Sequence, residues 1–253
     1  MPTEPATEPN AEAWDDRRLA DPHAAPDKAS RVEAMFAAIA RSYDLNNRLH
    51  SLGRDQAWRK ATVRMAGLQG GETVADVACG TGDLAMAFAD AGAGRVIGLD
   101  FTQKMLDLAE TKKRGRSIEY RHADAMDLPL DDAGVDVVSI AFGIRNVSDP
   151  AKALREFFRV LVPGGRLLVL EFSEPRHPLL RRFHHLYCHH VMPRTATWIA
   201  RDRTGAYRYL PRSVETFLDR DALAAAVTEA GFTDVTTKPL TGGIAAIHRG
   251  VKP

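Results

Sequence analysis

DVACGTGD, residues 76–83, decides the fold: it ends an apolar run that begins at Thr73 and carries Gly80 and Gly82 into a segment with helical spacing. Glycines at such a strand-to-helix turn let backbone N–H groups and a helix N-terminus face a ligand. Eighteen residues after Gly82, the run VIGLD ends at Asp100, where a second strand would offer an acid to a ribose. The pattern therefore predicts a bound nucleotide.

Two cofactors fit this loop, and the loop alone does not separate them. Gly80, Gly82 and Ala85 satisfy the dinucleotide pattern, and an acid on the second strand suits the adenosine ribose of either NAD or S-adenosylmethionine. A phosphate-binding loop of the nucleoside triphosphatases is excluded, because no Gly-Lys-Ser/Thr follows the glycines.

Three features favour S-adenosylmethionine over NAD. Asp76, in the strand before the glycines, suits the ammonium and sulfonium charges of the methionine end, whereas it would repel a pyrophosphate. The third strand ends in Ala123-Asp124-Ala125, which places Asp124 to accept a hydrogen bond from the exocyclic amine of adenine. No second substrate domain of the dehydrogenase kind remains after the last strand. We therefore predict S-adenosylmethionine as the cofactor.

Apolar runs alternate with helical periodicities through the centre of the chain. The alternation predicts an α/β domain with a mostly parallel sheet, helices on both faces and an antiparallel pair at the end. The predicted strands cover residues 73–78, 95–100, 118–124, 135–142, 166–172, 234–240 and 243–250. The predicted helices cover residues 31–44, 56–65, 82–91, 102–113, 153–161 and 221–232.

Composition divides the chain into a tail and one domain. Residues 1–28 are rich in Pro, Ala and acidic side chains, which predicts a disordered tail with a short helix near Trp14. Residues 29–253 are predicted to form a single domain. The formal net charge of +1 gives no general attraction to nucleic acid, and no apolar run reaches the ~20 residues of a membrane span. Cys79 and Cys188 form no disulfide or zinc motif, and we expect a cytoplasmic protein.

Five segments of the chain together resemble the UbiE/MenG family, the class I S-adenosylmethionine-dependent C-methyltransferases of quinone biosynthesis. They are DVACGTGD, AFGIRNVSD (141–149), RVLVPGGRLLVLEFS (159–173), YRYLPRSV (207–214) and GGIAAIHRG (242–250). The resemblance implies a Rossmann-like fold with seven strands and C-methylation of a polyprenyl quinol in menaquinone or ubiquinone biosynthesis. The acceptor is demethylmenaquinol, a polyprenyl methoxybenzoquinol or both, and demethylmenaquinol is the one we expect first. Departures from the family pattern stand at Asn46, His50, Asp55 and Val162, the first three of them in a segment expected near the acceptor.

Residue roles follow from this resemblance and from position. The resemblance implies that the cofactor is contacted by Thr81, Asp100, Asp124 and Ala125. Two residues, Arg145 and Asn146, follow the fourth strand at the edge where such sheets bind ligands. We predict that Arg145 stabilises an aryloxide and that Asn146 hydrogen-bonds a ring oxygen, with a structural ion pair as the alternative role for Arg145.

A second polar contact with the acceptor is predicted from Tyr43. Methyl transfer is an in-line displacement that needs alignment and no metal. A methyltransferase for another small hydrophobic acceptor, and a non-catalytic cofactor-binding or quinone-binding accessory protein, remain the alternatives. Homodimer formation is also left open.

Residues 173–212 form an insert in which arginines alternate with apolar residues. We predict that the insert covers the acceptor pocket and contacts an anionic membrane surface from the cytoplasmic side; a solvated arginine-rich lid is the alternative. His185 and His189 share a helical face within it. No metal site is expected there, because the sequence shows no acidic or cysteine ligand beside the histidines.

Overall fold

Seven strands form one sheet in the computed structural model, which describes residues 13–253. The strands are β1 Thr73–Val77, β2 Arg95–Asp100, β3 Ile118–His122, β4 Val135–Ala141, β5 Leu161–Phe172, β6 Thr233–Leu240 and β7 Ala245–Val251. Their spatial order is β3-β2-β1-β4-β5-β7-β6. The first five run parallel, while β7 pairs antiparallel with both β5 and β6. The predicted mostly parallel seven-stranded sheet is confirmed.

Ten α-helices accompany the sheet in the described residues. They are α1 Asp16–Ala20, α2 Lys28–His50, α3 Arg54–Ala66, α4 Asp83–Asp90, α5 Gln103–Lys112, α6 Pro150–Val160, α7 Pro178–Leu186, α8 Met192–Ala200, α9 Ala206–Glu215 and α10 Arg220–Glu229. A π-helical turn, Tyr187–Val191, joins α7 to α8. One apolar layer packs α6 and α10 on the sheet, and a second packs α3 and α4 on its opposite face.

Side chains of β1 alternate between these two layers. Ala75 and Val77 belong to the layer with α6 and α10, whereas Val74 belongs to the layer with α3 and α4. Because successive side chains of a strand point to opposite faces, Asp76 points to the same side as Val74. The carboxylate of Asp76 is therefore directed towards α3 and α4, which determines its partners below.

The N-terminal segment differs from the prediction. Residues 1–12 of the expected disordered tail lie outside the described residues, but residues 13–28 are folded against the domain. Trp14 is only 2% exposed and its ring lies 4.4 Å from that of Tyr209, while Leu19 of α1 is also buried. The short helix near Trp14 is present as α1, capped by the Asp15 side chain. Burial of these two apolar side chains stabilises the folded segment. The acidic and Pro-rich composition therefore wrongly predicted disorder for residues 13–28.

Helix α2 is longer than predicted, because it continues past Asp44 to His50. The residues after Asp44, where the sequence predicted no helix, are helical because their polar groups find partners on the insert. Asn46 is buried and donates to the Tyr207 hydroxyl at 2.8 Å, and His50 lies 2.8 Å from the Tyr187 hydroxyl. These contacts join α2 to the segment from α7 to α9. Among the described residues, no helix combines the length and the apolar character that a membrane crossing requires.

Candidate functional site

A cavity lies at the carboxyl ends of β1, β2 and β4, the edge where open α/β sheets bind ligands. The strand ends and their loops form its floor, and one face of α2 forms a wall. Six of the predicted site residues line it: Tyr43, Gly80, Asp100, Asp124, Ala125 and Asn146. The other four predicted residues, Asp76, Thr81, Gly82 and Arg145, lie behind this lining.

Asp100 holds the glycine loop to the end of β2. Its Oδ2 accepts the backbone N–H of Gly80 at 2.7 Å, and its Oδ1 accepts that of Thr102 at 2.8 Å. The side chain is buried, and burial raises the pKa of this carboxyl while the two N–H donors partly offset the effect. Each carboxylate oxygen keeps a further lone pair, so Asp100 can still accept hydrogen bonds from a ribose.

Gly82 has a packing role, and its predicted contact with the cofactor stays a prediction. Its φ of +83° is left-handed, and a Cβ at this position would lie 2.2 Å from the Tyr120 hydroxyl. Thr81 is likewise buried, with its hydroxyl donating to Asp44 at 2.6 Å and accepting from Lys112 Nζ at 2.9 Å. Thr81 thereby ties the loop to α2 and α5, and its predicted cofactor contact is not seen in the cavity lining.

The loop after β3 brings Asp124 and Ala125 to the cavity. Asp124 Oδ1 accepts the backbone N–H of Met126 at 2.9 Å, which fixes the carboxylate at the turn. Asp127 is a second acid, three residues after Asp124, and it is absent from the described lining. The geometry therefore favours Asp124 as the acid that faces a bound adenine.

Two strand ends at the cavity have strained backbones. Ala78 after β1 and Phe142 after β4 adopt φ values of 50° and 57°, which are uncommon for residues other than glycine. Between them, Gly143 approaches so closely that a Cβ there would lie 2.6 Å from the Ala78 Cβ. Backbone strain of this kind is maintained by the packing around it. Strained residues occur most often at ligand sites.

Asp76 is buried behind the glycine loop on the side of α3. Its Oδ1 accepts the Ser139 hydroxyl at 2.7 Å, whereas its Oδ2 has no hydrogen-bond partner among the described residues. Burial raises the pKa of Asp76 to about 7, with the Ser139 hydrogen bond and the Arg59 charge acting against it. An approaching cation would lower this pKa and stabilise the charged form.

Arg59 of α3 is a site residue that the sequence analysis missed. It is 7% exposed, its guanidinium lies 5.7 Å from the centre of the Phe142 ring, and its Nε is buried without a partner. No hydrogen bond or ion pair of this guanidinium is found within residues 13–253. The Arg59 charge lowers the pKa of the Asp76 and Asp83 carboxyls, but no hydrogen bond joins it to either, so Arg59 can still donate to a bound anion.

Asn146 and Tyr43 approach the cavity from opposite sides. The Asn146 amide donates to the Phe142 carbonyl at 3.2 Å and accepts the Tyr209 hydroxyl at 2.9 Å, so its orientation is fixed. Tyr43 stands near Gly80, and burial raises the pKa of its hydroxyl, which therefore stays protonated. Both residues are positioned to donate to an acceptor oxygen.

Arg145 follows β4 and forms a buried ion pair. Its Nη1 donates to Glu171 Oε1 at 2.8 Å and to the Phe142 carbonyl at 2.6 Å, and its Nε donates to the Ser213 hydroxyl at 3.3 Å. Both side chains of the pair with Glu171 are buried. The structural ion pair, the alternative role for Arg145, is thus present, and its contact with an aryloxide stays a prediction.

The insert contributes indirectly to the cavity. No residue from 173 to 212 appears in the described lining, and α2 forms the wall that the insert was expected to form. Its contact with the site runs through the Tyr209 hydroxyl on Asn146. The reason given for excluding a metal in the insert is also wrong, because Glu215 Oε1 lies 2.6 Å from His189 Nε2 and 3.4 Å from His185 Nε2.

Comparison with known proteins gives one family. The model of the ubiE/COQ5 methyltransferase family matches residues 25–252. A demethylmenaquinone methyltransferase from Clavibacter sepedonicus is 43% identical, over 89% of this chain and 92% of that protein. The ubiquinone/menaquinone biosynthesis C-methyltransferase UbiE of Geobacter sp. (strain M21) is 42% identical, over 91% of this chain and all of that protein.

A solved structure supports the fold alone. An S-adenosylmethionine-dependent methyltransferase from Thermotoga maritima superimposes with a TM-score of 0.63 at 20% sequence identity, over 88% of this chain and all of that chain. The sheet order and the position of the cavity described above agree with such a fold.

Proposed function

The chain belongs to the ubiE/COQ5 methyltransferase family, and we propose that it transfers a methyl group from S-adenosylmethionine to a ring carbon of a polyprenyl quinol. The observation that carries the proposal is the cavity in which Gly80, Asp100 and Asp124 converge at the carboxyl ends of the strands. These groups match the loop, ribose and adenine contacts that the cofactor requires.

The cofactor is proposed to lie across these three groups in order. Asp100 accepts from the ribose hydroxyls, and Asp124 accepts from the adenine amine beside the Ala125 backbone. The methionine end then passes the Gly80 loop towards α3. There the unpaired Oδ2 of Asp76 favours the positive ammonium and sulfonium, and the Arg59 guanidinium favours the carboxylate.

The acceptor ring is proposed to lie against α2. Val32 and Phe36 of α2 line the cavity opposite Phe142, and together they offer apolar surface to an aromatic ring. Tyr43 and Asn146 then donate hydrogen bonds to a ring oxygen. Arg145 acts as a positioning residue, because it holds the Phe142 carbonyl to which the Asn146 amide also donates.

The proposed reaction is an in-line displacement at the methyl carbon. One quinol hydroxyl loses its proton to water, and the negative charge of the resulting aryloxide is shared with the adjacent ring carbon. That carbon forms a bond to the methyl group while the methyl–sulfur bond breaks, and the sulfur leaves as a neutral thioether. The ring carbon then loses its own proton to water and aromaticity returns. Hydrogen bonds from Tyr43 and Asn146 stabilise the negative charge on the aryloxide oxygen before the methyl group is transferred.

Demethylmenaquinol is the acceptor that we propose first. One relative is named for demethylmenaquinone alone and the other for both quinones, so a polyprenyl methoxybenzoquinol is the second acceptor. Purified protein incubated with methyl-labelled S-adenosylmethionine and demethylmenaquinol should give labelled menaquinol. Quinone profiles of a deletion strain should show the accumulated demethylated ring.

Other outcomes of this assay separate the alternatives. Binding of the cofactor without turnover on either quinol would refute the proposal and favour an accessory protein. Turnover on a different small hydrophobic acceptor, with neither quinol methylated, would favour a related methyltransferase of the same fold.

A peripheral contact with the cytoplasmic face of a membrane is also proposed. Five large apolar side chains on α7, the π-helical turn and α8 are exposed: Leu179, Phe183, Leu186, Val191 and Trp198. Arg181, Arg182 and Arg194 are exposed on the same segments. Apolar side chains with adjacent arginines suit the interface of an anionic membrane, which is where a polyprenyl substrate is found.

A further inference from the structure

We infer that His185, His189 and Glu215 form a zinc site that fastens α7 and the π-helical turn to the C-terminal end of α9. Their ligand atoms, one from each side chain, all lie within 4.8 Å of one another. The three residues come from α7, the π-helical turn and the last position of α9. The site is separate from the proposed cofactor cavity, and the inference does not rest on the proposed reaction.

The π-helical turn brings the two imidazoles together. Residues four apart on a helix share a face, and the His185 and His189 rings are stacked with their centres 4.1 Å apart. Both Nε2 atoms face the same carboxylate oxygen, Glu215 Oε1, at 3.4 Å and 2.6 Å. An opening of these distances by less than an ångström would admit an ion with Zn–N and Zn–O bonds of about 2.0–2.2 Å.

The donors suit zinc, one of several transition metals that imidazole and carboxylate bind. Two imidazole nitrogens and one carboxylate oxygen are typical zinc ligands, and a water completes four coordination where the protein supplies three. The second oxygen of Glu215 accepts from Arg212 at 3.2 Å, which orients the carboxylate and leaves Oε1 for the ion. The His185 side chain is 57% exposed, so an ion has access from solvent.

A neighbouring pair of residues is a poorer candidate. The Cys188 sulfur lies 3.4 Å from His184 Nε2, but no carboxylate accompanies this pair in the described metal-ligating groups. Burial raises the pKa of the Cys188 thiol to about 11, so binding would first have to remove a firmly held proton. His184 and Cys188 therefore serve as the competing assignment in the test.

Bound zinc would stiffen the part of the insert that reaches the cavity. Glu215 ends the same helix that carries Tyr209 and Ser213, whose hydroxyls contact Asn146 and Arg145. A metal at the end of α9 would thus restrain the helix behind the acceptor wall. Because the ion binds the folded protein, it should raise the midpoint of thermal unfolding in proportion to its affinity and concentration.

Calorimetric titration of the metal-free full-length protein with zinc chloride tests the inference. The wild type should bind one equivalent of zinc. His185→Ala and Glu215→Gln should each weaken zinc binding by about tenfold or more, because even the loss of a group that only orients a metal ligand weakens metal affinity by that factor. His190→Ala, an exposed histidine of the same turn, should bind like the wild type and keep the zinc-induced rise in melting temperature.

Three results would overturn the inference. The first is a wild type that binds zinc no more tightly than the His185→Ala/His189→Ala double variant. The second is an equal loss of affinity in His190→Ala and His185→Ala, which would indicate unspecific binding to surface histidines. The third is loss of binding in His184→Ala with His185→Ala unaffected, which would transfer the site to the Cys188 pair.

Discussion

The Asp100 carboxylate accepts the backbone N–H of Gly80 at 2.7 Å, so the acid of β2 and the glycine loop after β1 form one hydrogen-bonded unit. The pairing explains why the two features occur at a fixed spacing in the sequence. The Asp100 carboxylate therefore both holds the loop in place and faces the cavity, where it can contact a ligand.

Asp100→Asn should weaken cofactor binding and also destabilise the loop. An amide nitrogen in place of one oxygen would oppose either the Gly80 or the Thr102 N–H and leave a buried donor unpaired, at a cost of about 1–3 kcal/mol. Calorimetric titration with S-adenosylhomocysteine and urea unfolding measure the two effects. Unchanged affinity with reduced stability would restrict Asp100 to the structural role.

Asp76 should make both stability and cofactor affinity depend on pH. Its pKa is about 7 in the folded protein against 3.8 ordinarily, so between these values only the unfolded chain gives up the proton. The free energy of unfolding should therefore fall as pH rises through this window, by up to about 1.4 kcal/mol per unit. Urea unfolding at several pH values measures this decrease in the free energy of unfolding. The part of the decrease that comes from Asp76 should be absent in Asp76→Asn.

The same substitution tests the contact with the cofactor. Wild-type affinity for S-adenosylmethionine should increase as pH rises towards 8, because the ionised Asp76 attracts the positive methionine end. Asp76→Asn should bind more weakly and lose the increase. An unchanged pH dependence in the variant would assign the titration to another group.

Arg59→Gln should weaken binding of S-adenosylmethionine by about tenfold or more, since a hydrogen bond to a charged group contributes roughly 1.5–3 kcal/mol. Stability should change little, because the variant loses a charge attraction to Asp76 and Asp83 but also removes a buried guanidinium that has no hydrogen bond in the described structure. The matched ligand is 5′-methylthioadenosine, which lacks the carboxylate and should bind both proteins alike. Equal weakening of the two ligands would contradict the carboxylate contact.

Sequence patterns predicted the residues whose spacing is set by the fold. Gly80, Asp100 and Asp124 follow consecutive parallel strands, and the carboxyl ends of such strands meet at one edge. The patterns could not predict the ion pair of Arg145, because its partner Glu171 lies on a different strand and no sequence spacing indicates the pair. Arg59 was missed because a lone arginine on a helix belongs to no motif, and only its burial without a hydrogen-bond partner distinguishes it.

Long-range packing explains the remaining differences. The burial of Trp14 depends on Tyr209, nearly two hundred residues later, so local composition could not reveal that the segment folds. Likewise, α2 became the wall of the cavity because its far side packs on α8 and α9. The sequence showed that an insert was present, but its contacts with α2 were needed to locate it.

Arg145→Ala should destabilise the protein by about 3–5 kcal/mol, because it leaves the buried Glu171 charge without its partner. Arg145→Met combined with Glu171→Gln should recover most of this loss, since neither group is then charged. Urea unfolding measures both, and turnover of the folded double variant tests the positioning role. A stable Arg145→Ala protein that binds cofactor without turnover would favour the direct catalytic role of Arg145 over the positioning role.

Trp198→Ala should reduce binding to anionic vesicles by roughly tenfold or more, because the side chain is 82% exposed on α8 and would lose its burial in the membrane interface. Leu218→Ala, an exposed apolar position outside the insert, is the matched control and should bind like the wild type. Cosedimentation with phosphatidylglycerol vesicles at low and high salt measures the effect, and the arginine contribution should weaken as salt rises. If Trp198→Ala leaves vesicle binding intact but abolishes a dimer in sedimentation velocity, the apolar face is an interface between two copies of the chain.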